Sequence, residues 1–392
     1  MARRTVEIAG AGLAGLTLGI RLAQLGWKVR LHERNNELRM FGAGIWMWES
    51  GLKCLAMLGA DTQALTRARV IDEWRVVDQH GTTLMSRRFS EADRMLLPPR
   101  ADLYEALIAR AEHYGVDIVT SSLAVSMSAD GVLVMEDGSE YKADLVVAAD
   151  GAYSRLRESI FCTAWIDFGT EAGIRMMIDR EDGDPDRLIV EHWNGPRRLL
   201  YNPCTDGEDY IFVSGPVGDP RGSKLPVDRD FWTSVFPEAA DLISRFKEAG
   251  RWDRIVNVRC RQWYQGRAAV IGDAAHAMPP NLGQAANAAF INAMALADCL
   301  ESHTRIEDAL VTWEAQQRSV TNHVQMWSYI YGLTVNNWPE KFGLATLRSD
   351  ILQALGKTRW LEEGIGRGAR VIPAGYASAI RNLQSAVPAI TD

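Results

Sequence analysis

The apolar positions of the first third fall into short runs cut by glycine. Thr5–Ala9 reads as a strand, Gly10-Ala11-Gly12-Leu13-Ala14-Gly15 follows at once, and Leu16–Leu25 carries apolar residues at helical spacing up to Gly26. Lys28–His32 is a second strand, and it ends on Glu33. Beyond residue 70 the period changes. Glu73–Val77 and Thr82–Arg88 flank Asp78-Gln79-His80-Gly81 as a hairpin, Arg100 opens a helix over Ala101–His113, and Gly115–Ser121 is a further strand. A second hairpin, Val132–Glu136 with Glu140–Ala143, leads into the continuous apolar run before Asp150-Gly151, which has the composition of a strand buried on both faces. Residues 165–265 are strand-rich: Ile174–Ile178, Leu188–Trp193, Arg198–Tyr201 and Tyr210–Ser214 are separated by Gly, Pro and Asp turns, the pattern of an antiparallel sheet. The strand Ala268–Gly272 and a small-residue helix from about Gly283 to Ser302 restore α/β character, and the rest is mostly helical.

The opening strand, turn, helix and strand make a βαβ unit with G-x-G-x-x-G in its turn. Gly10 suits the tight turn, Gly12 lets backbone approach a pyrophosphate, and Gly15 lets helix and strand pack closely, while the helix N-terminus offers free N–H groups to phosphate oxygens. Glu33 stands where a carboxylate can accept hydrogen bonds from an adenosine ribose. The glycines alone could be an ordinary turn. In this context they point to a dinucleotide.

Composition narrows the class. The chain has 392 residues, enough for two or three domain-sized units. Its 43 Lys+Arg against 50 Asp+Glu give a formal charge of −7, which disfavours a nucleic-acid partner. The 5 Cys include no C-x-x-C pair and read as reduced thiols, and no histidine spacing suggests a metal site. The start, Met1-Ala2-Arg3-Arg4, runs directly into the first strand without a signal-type apolar region, and no apolar stretch approaches the ~20 residues of a membrane span. A cytoplasmic protein without a membrane partner is the expectation.

Three segments carry the chemistry: the glycine turn with Glu33; Asp150-Gly151-Ala152-Tyr153-Ser154-Arg155; and Gly272-Asp273-Ala274-Ala275-His276-Ala277-Met278-Pro279-Pro280 with Gln284-Ala285-Ala286-Asn287. In this order they resemble the flavoprotein aromatic hydroxylases of the para-hydroxybenzoate hydroxylase type over essentially the whole chain. The resemblance implies an α/β fold in which an FAD-binding Rossmann-like (GR2-type) domain, residues 1–72, 97–165 and 266–330, is interleaved with an antiparallel-sheet substrate domain, residues 73–96 and 166–265. A C-terminal helical segment, 331–392, completes it. It implies tightly but non-covalently bound FAD, held by Gly10, Gly12, Gly15, Glu33, Arg34, Arg100, Asp150, Asp273, Ala286 and Asn287. Asp273 would meet the ribityl chain, Arg100 the diphosphate or ribityl region, Asp150 both FAD and pyridine nucleotide, and Pro280 would sit near flavin C4a. The backbone N–H groups at Ala286-Asn287 would face N1 and O2, where a reduced flavin is anionic and a helix N-terminus is favourable. One departure is Ala285, where many relatives have Gly.

The implied reaction is reduction by NADH or NADPH, formation of a flavin C4a-hydroperoxide from O2, and attack on an electron-rich ring, possibly with ring opening or group loss. Water must be kept out, so an aromatic pocket is expected, with Trp46, Trp48 and Trp193 as candidates. A single dinucleotide fingerprint argues against a separate NADPH domain, and the W-x-W-x-I-P segment of the halogenase relatives is absent. Leu31–Arg34, Glu37–Arg39, Phe41–Ile45, Arg198–Cys204 and Asp219–Ser223 further resemble the pyridine-ring hydroxylases of the 2-methyl-3-hydroxypyridine-5-carboxylate oxygenase type. That likeness implies a small anionic aromatic substrate contacted by Arg198 and Tyr210, while a pocket tyrosine of that type falls on Ile71 here. Residue by residue, Asp150 could cap a turn, Arg100 start a surface helix, His276 be structural, Arg198 lie on the sheet surface, and Tyr210 and the tryptophans be core. The competing readings are a flavin reductase without oxygen insertion and a non-catalytic flavin redox sensor. A monomer or homodimer is expected.

Overall fold

The computed structural model describes residues 3–38, 43–162, 164–167, 169–248, 250, 252–336 and 344–379. Two sheets organise it. The first has six strands in the order Tyr264–Gln265, Ala268–Val270, Leu145–Ala148, Thr5–Ala9, Lys28–His32 and Asp117–Val119. All neighbours are parallel except the outermost pair, Tyr264–Gln265 with Ala268–Val270. Its central strands are buried on both faces, with Leu145, Val146, Val147 and Ala148 all at 0% exposure, which is why they read as continuous apolar runs. The helix Leu13–Gln24 packs between Arg100–His113 and Ala285–Ser302 to cover one side.

The second sheet has seven strands in the order Asp253–Arg254, Glu171–Asp179, Glu208–Pro216, Arg197–Pro203, Leu188–Asn194, Glu73–Asp78 and Thr83–Arg88. It is antiparallel except where Leu188–Asn194 runs parallel to Glu73–Asp78. Successive side chains on a strand point to opposite faces, so the register sorts its residues. One face presents Ile174, Met176, Ile178, Leu199, Tyr201, Ile211 and Val213, sealed by Phe231, Trp232, Phe236, Ile243 and Phe246. The other presents Arg175 opposite Phe212, Arg198 opposite Ser214 and Trp193, and Tyr210 opposite Met177 and Asn202. This second face looks toward the Pro280–Leu282 turn and the long helix Ile306–Asn336.

The structure departs from the pattern in places. The first helix begins at Leu13 rather than Leu16, because extended Gly12 caps it directly and puts Gly15 in its first turn. The strand expected over Gly115–Ser121 is held to Asp117–Val119, where it finds its partner Arg30–His32. The helix Glu49–Leu58 and the small sheet of Met47–Trp48, Met95–Leu97 and Arg69–Ile71 have no counterpart in the sequence reading. These strands are two or three residues long, too short for any period to show. Arg39, Phe41 and Gly42 lie outside the described residues, as does the chain from residue 380. Among the described residues no helix is long and apolar enough to cross a membrane.

Candidate active site

Close contacts bring the three motif segments together. A Cβ on Gly10 would lie 2.3 Å from the Ala149 carbonyl oxygen, one on Gly15 2.0 Å from that of Gly10, and one on Gly272 2.7 Å from the Ala14 Cβ. Gly10 also has φ +109, open to glycine and rarely to other residues. Gly12 is the contrast: it is exposed, and nothing lies within 4 Å of where its Cβ would be. Two glycines therefore let chain meet chain, and the third faces open space at a helix N-terminus that has no side-chain cap. Glu33 accepts from the Ala11 backbone N–H at 3.1 Å and from Asn35, which fixes its carboxylate beside the turn. Arg34 is exposed beside it.

Asp273 and Arg100 lie close enough for each to act on the other's charge. Both remain solvent-accessible, yet so much protein surrounds them that desolvation raises the Asp273 carboxyl pKa, against the pull of Arg100, and lowers that of the Arg100 guanidinium. Asp150 is half-buried; burial raises its pKa too, and its Oδ1 has no hydrogen-bond partner. Accessible atoms deep in the molecule, an unpaired buried acceptor and an open glycine are what a long polar cofactor would fill, so the residues present fit FAD. Pro280 starts the turn Pro280–Leu282, and Gly283 in the left-handed region links it to the helix Ala285–Ser302, whose N-cap Gln284 makes no side-chain cap bond. The first N–H groups of that helix, at half-buried Ala286 and at Asn287, are not met by a capping side chain. The Asn287 carboxamide itself ties the helix to the Trp46–Trp48 segment: it accepts from Trp48 N at 3.0 Å and donates to the Trp46 carbonyl at 3.0 Å.

On the second sheet's inner face, Glu191 is 1% exposed and takes hydrogen bonds from Trp193 Nε1 at 2.9 Å, Trp74 Nε1 at 3.2 Å and the Tyr331 hydroxyl at 2.9 Å. The rings form one wall, with Trp46 5.1 Å from Trp74, and Tyr331 5.5 Å from both Trp74 and Trp193. Trp48 joins at 6.0 Å from Trp46, and Ile71 is buried in the same cluster. Three of the expected tryptophans are thus brought together, and Trp74 and Tyr331 are added to them.

Arg198, expected to pair with an anionic group of the substrate, is already met by carboxylates of the protein. It is 2% exposed, and its guanidinium meets Glu171 at 2.8 Å, Glu191 at 3.3 Å, Ser214 Oγ at 2.9 Å and the Asn281 side-chain oxygen. Burial alone would lower its pKa; the two carboxylates outweigh that and raise it. A strand pattern shows an arginine, but not the carboxylates that two other strands bring to it. Asn281 in turn donates to the Ser328 carbonyl at 2.8 Å, so the sheet, the Pro280 turn and the long helix are bound through one buried network. Tyr210, 7% exposed, lies on the same face; Gly44 sits so close that a Cβ there would be 3.1 Å from its ring.

His276 is buried without a side-chain hydrogen bond, and burial pushes it down to about 4, so it is neutral near pH 7. Glu171, Glu191, Asn281 and Tyr331 escaped the sequence reading. The signal available for Glu191 was its place between Ile189 and Trp193 on an alternating strand, where the inward positions are otherwise apolar.

A family model described as FAD binding domain matches residues 3–328. The chain is 35% identical over 361 residues to the 2-heptyl-3-hydroxy-4(1H)-quinolone synthase of Mycobacteroides abscessus, covering 90% of this chain and 95% of that protein. It is 28% identical over 338 residues to the 3-hydroxybenzoate 6-hydroxylase of Polaromonas naphthalenivorans, covering 80% and 83%. A tetrameric form of 2-methyl-3-hydroxypyridine-5-carboxylic acid oxygenase shares the fold with a TM-score of 0.84 and 32% identity, covering 97% of this chain and 98% of that one.

Proposed function

The chain belongs to the family of FAD-binding aromatic-ring monooxygenases, and within it we propose that it uses NADH or NADPH and O2 to hydroxylate an oxo- or hydroxy-substituted N-heteroaromatic ring of the pyridine or quinolone class. The observation that carries this is the inner sheet face: an aromatic wall beside the Pro280 turn, in which the arginine nearest that turn is already neutralised by Glu171 and Glu191. Beside Arg198 such a surface suits a flat ring with polar edges better than a carboxylate, which would meet two like charges behind that guanidinium. The relatives named for a quinolone and for a hydroxypyridine support the ring class. A phenolic acid is the second reading, favoured by the likeness to the hydroxybenzoate enzyme.

FAD, when bound, would carry two electrons from the nicotinamide to O2, one atom of which enters the ring while the other leaves as water. The residues of this chain bind and orient. Gly10, Gly12, Gly15 and Glu33 would hold the adenosine diphosphate end with Arg34 and Asp150, Arg100 and Asp273 would hold the middle, and Pro280 with the Ala286-Asn287 helix start would receive the ring system. The tryptophan wall excludes water, and Tyr210 lines the substrate side. Oxygen uptake matched to NAD(P)H oxidation in the presence of a 4-quinolone or 3-hydroxypyridine, with an oxygenated product, is the expected result. Equal turnover of the ring under strict anaerobiosis would place the protein among flavin reductases instead. Asp273→Ala is expected to purify colourless; a yellow variant with unchanged FAD content would remove Asp273 from the site.

A further inference from the structure

Two arginines flank the same ring on the inner sheet face, and they are not equivalent. The guanidinium carbons of Arg175 and Arg198 stand 4.9 and 5.1 Å from the Phe212 centroid. Arg198 is buried and neutralised by two carboxylates. Arg175, half-buried on Glu171–Asp179 and set against the Phe212 ring, has no carboxylate within ion-pair distance among the described residues, and it stands close enough to Tyr210 to oppose the rise that burial imposes on the phenol's pKa. It also acts on Arg100, the charged neighbour of Asp273, as a like charge. Arg175 therefore sits on the inner sheet face on the side toward Arg100, with Tyr210, Arg100 and, across Phe212, Arg198 as the charged or titratable groups around it. A half-buried guanidinium without a counter-ion is an unfavourable arrangement that an acceptor oxygen would relieve.

We propose that Arg175, together with Tyr210, is the substrate-binding cation of this site, donating to the exocyclic oxygen of the heteroaromatic ring, while Arg198 positions Asn281 and the Pro280 turn. This rests on the functional reading above and names the group that recognises the substrate. An arginine against a ring hydroxyl favours its ionised form, so a bound ligand reports the contact directly.

The test uses the FAD-loaded protein and 3-hydroxy-4(1H)-quinolone, whose absorbance follows its hydroxyl. The bound hydroxyl is expected to titrate about 1 to 3 pH units below the free compound. Arg175→Met is expected to abolish the shift and weaken binding about tenfold or more, with Arg175→Lys keeping part of the shift. A bound hydroxyl that titrates as it does free in solution, or an Arg175→Met protein with unaltered shift and affinity, overturns the proposal. Should Arg175→Met not fold, Arg175→Lys decides: about tenfold weaker binding supports the proposal, and unchanged binding overturns it. The functional reading fails separately, and this inference with it, if no N-heteroaromatic of a pyridine and quinolone panel binds or stimulates NAD(P)H oxidation. Wild-type turnover retained in Arg175→Met sinks the inference alone.

Discussion

At the glycine turn, the proposed nucleotide cradle, the working atoms are backbone, and the side chains matter by being absent. Gly10 and Gly15 let carbonyls lie where a Cβ would be, and Gly12 leaves the helix N–H groups facing open space. On the inner sheet face the working atoms are side chains contributed by four strands and a helix, and each depends on the charge of another: Arg198 is tolerated because of Glu171 and Glu191, and Glu191 because of Arg198, two indoles and a phenol. A backbone site is written in a short stretch of sequence. A charge-compensated site is written in residues far apart, none of which means anything alone.

The sharpest break in this comparison is predicted at Gly15. An alanine there would place a methyl group 2.0 Å from a backbone oxygen that has nowhere to go, and a loss on the order of 4 kcal/mol is expected, read as a large fall in Tm and colourless protein. Glu191→Ala leaves Arg198 under-compensated and three buried donors unpaired, with an expected cost of about 3 to 5 kcal/mol in denaturant unfolding. Glu191→Gln, which keeps an acceptor, should lose about half as much or less. An Ala variant as stable as wild type would show that the network is not a unit. Gly12→Ala should fold with stability within about 0.5 kcal/mol of wild type, since its Cβ meets nothing, yet bind FAD about tenfold or more weakly. Unchanged FAD affinity would mean that Gly12 is not where backbone approaches the phosphates.

The smallest effect separates burial from pairing. Burial pushes the Asp209 carboxyl up to about 6 despite its 2.7 Å contact with Arg180. The folded state thus holds this proton more tightly than the unfolded chain does, so its contribution to stability is present at low pH and is lost as pH rises from about 4 to about 6. Wild type should therefore lose stability relative to Asp209→Asn across that window, and a constant difference in Tm would contradict the assignment.

The sequence was most legible where one physical cause fixes one residue. The glycine turn, the buried run before Asp150 and the Gly272-Asp273 segment could be placed because tight turns, double-sided burial and helix starts leave local marks. The four central strands of the second sheet were foreseen within a few residues, since their alternation survives in sequence. Arg198 was legible as a cation of the sheet, but the carboxylates around it were not. The cause is that whether an arginine is neutralised depends on which strands become neighbours: Glu191 reaches Arg198 across the hairpin they share, but Glu171 comes from a strand two places away in the sheet that no local pattern links to it.

The central claim, oxygen insertion into an N-heteroaromatic ring, is tested most directly by turnover of a 4-quinolone and a 3-hydroxypyridine under 18O2 with NADH or NADPH. One labelled oxygen atom in the ring product, with about one O2 taken up per nicotinamide oxidised, is the predicted result. Nicotinamide oxidation that yields only hydrogen peroxide and unaltered ring compound across the whole panel would contradict it.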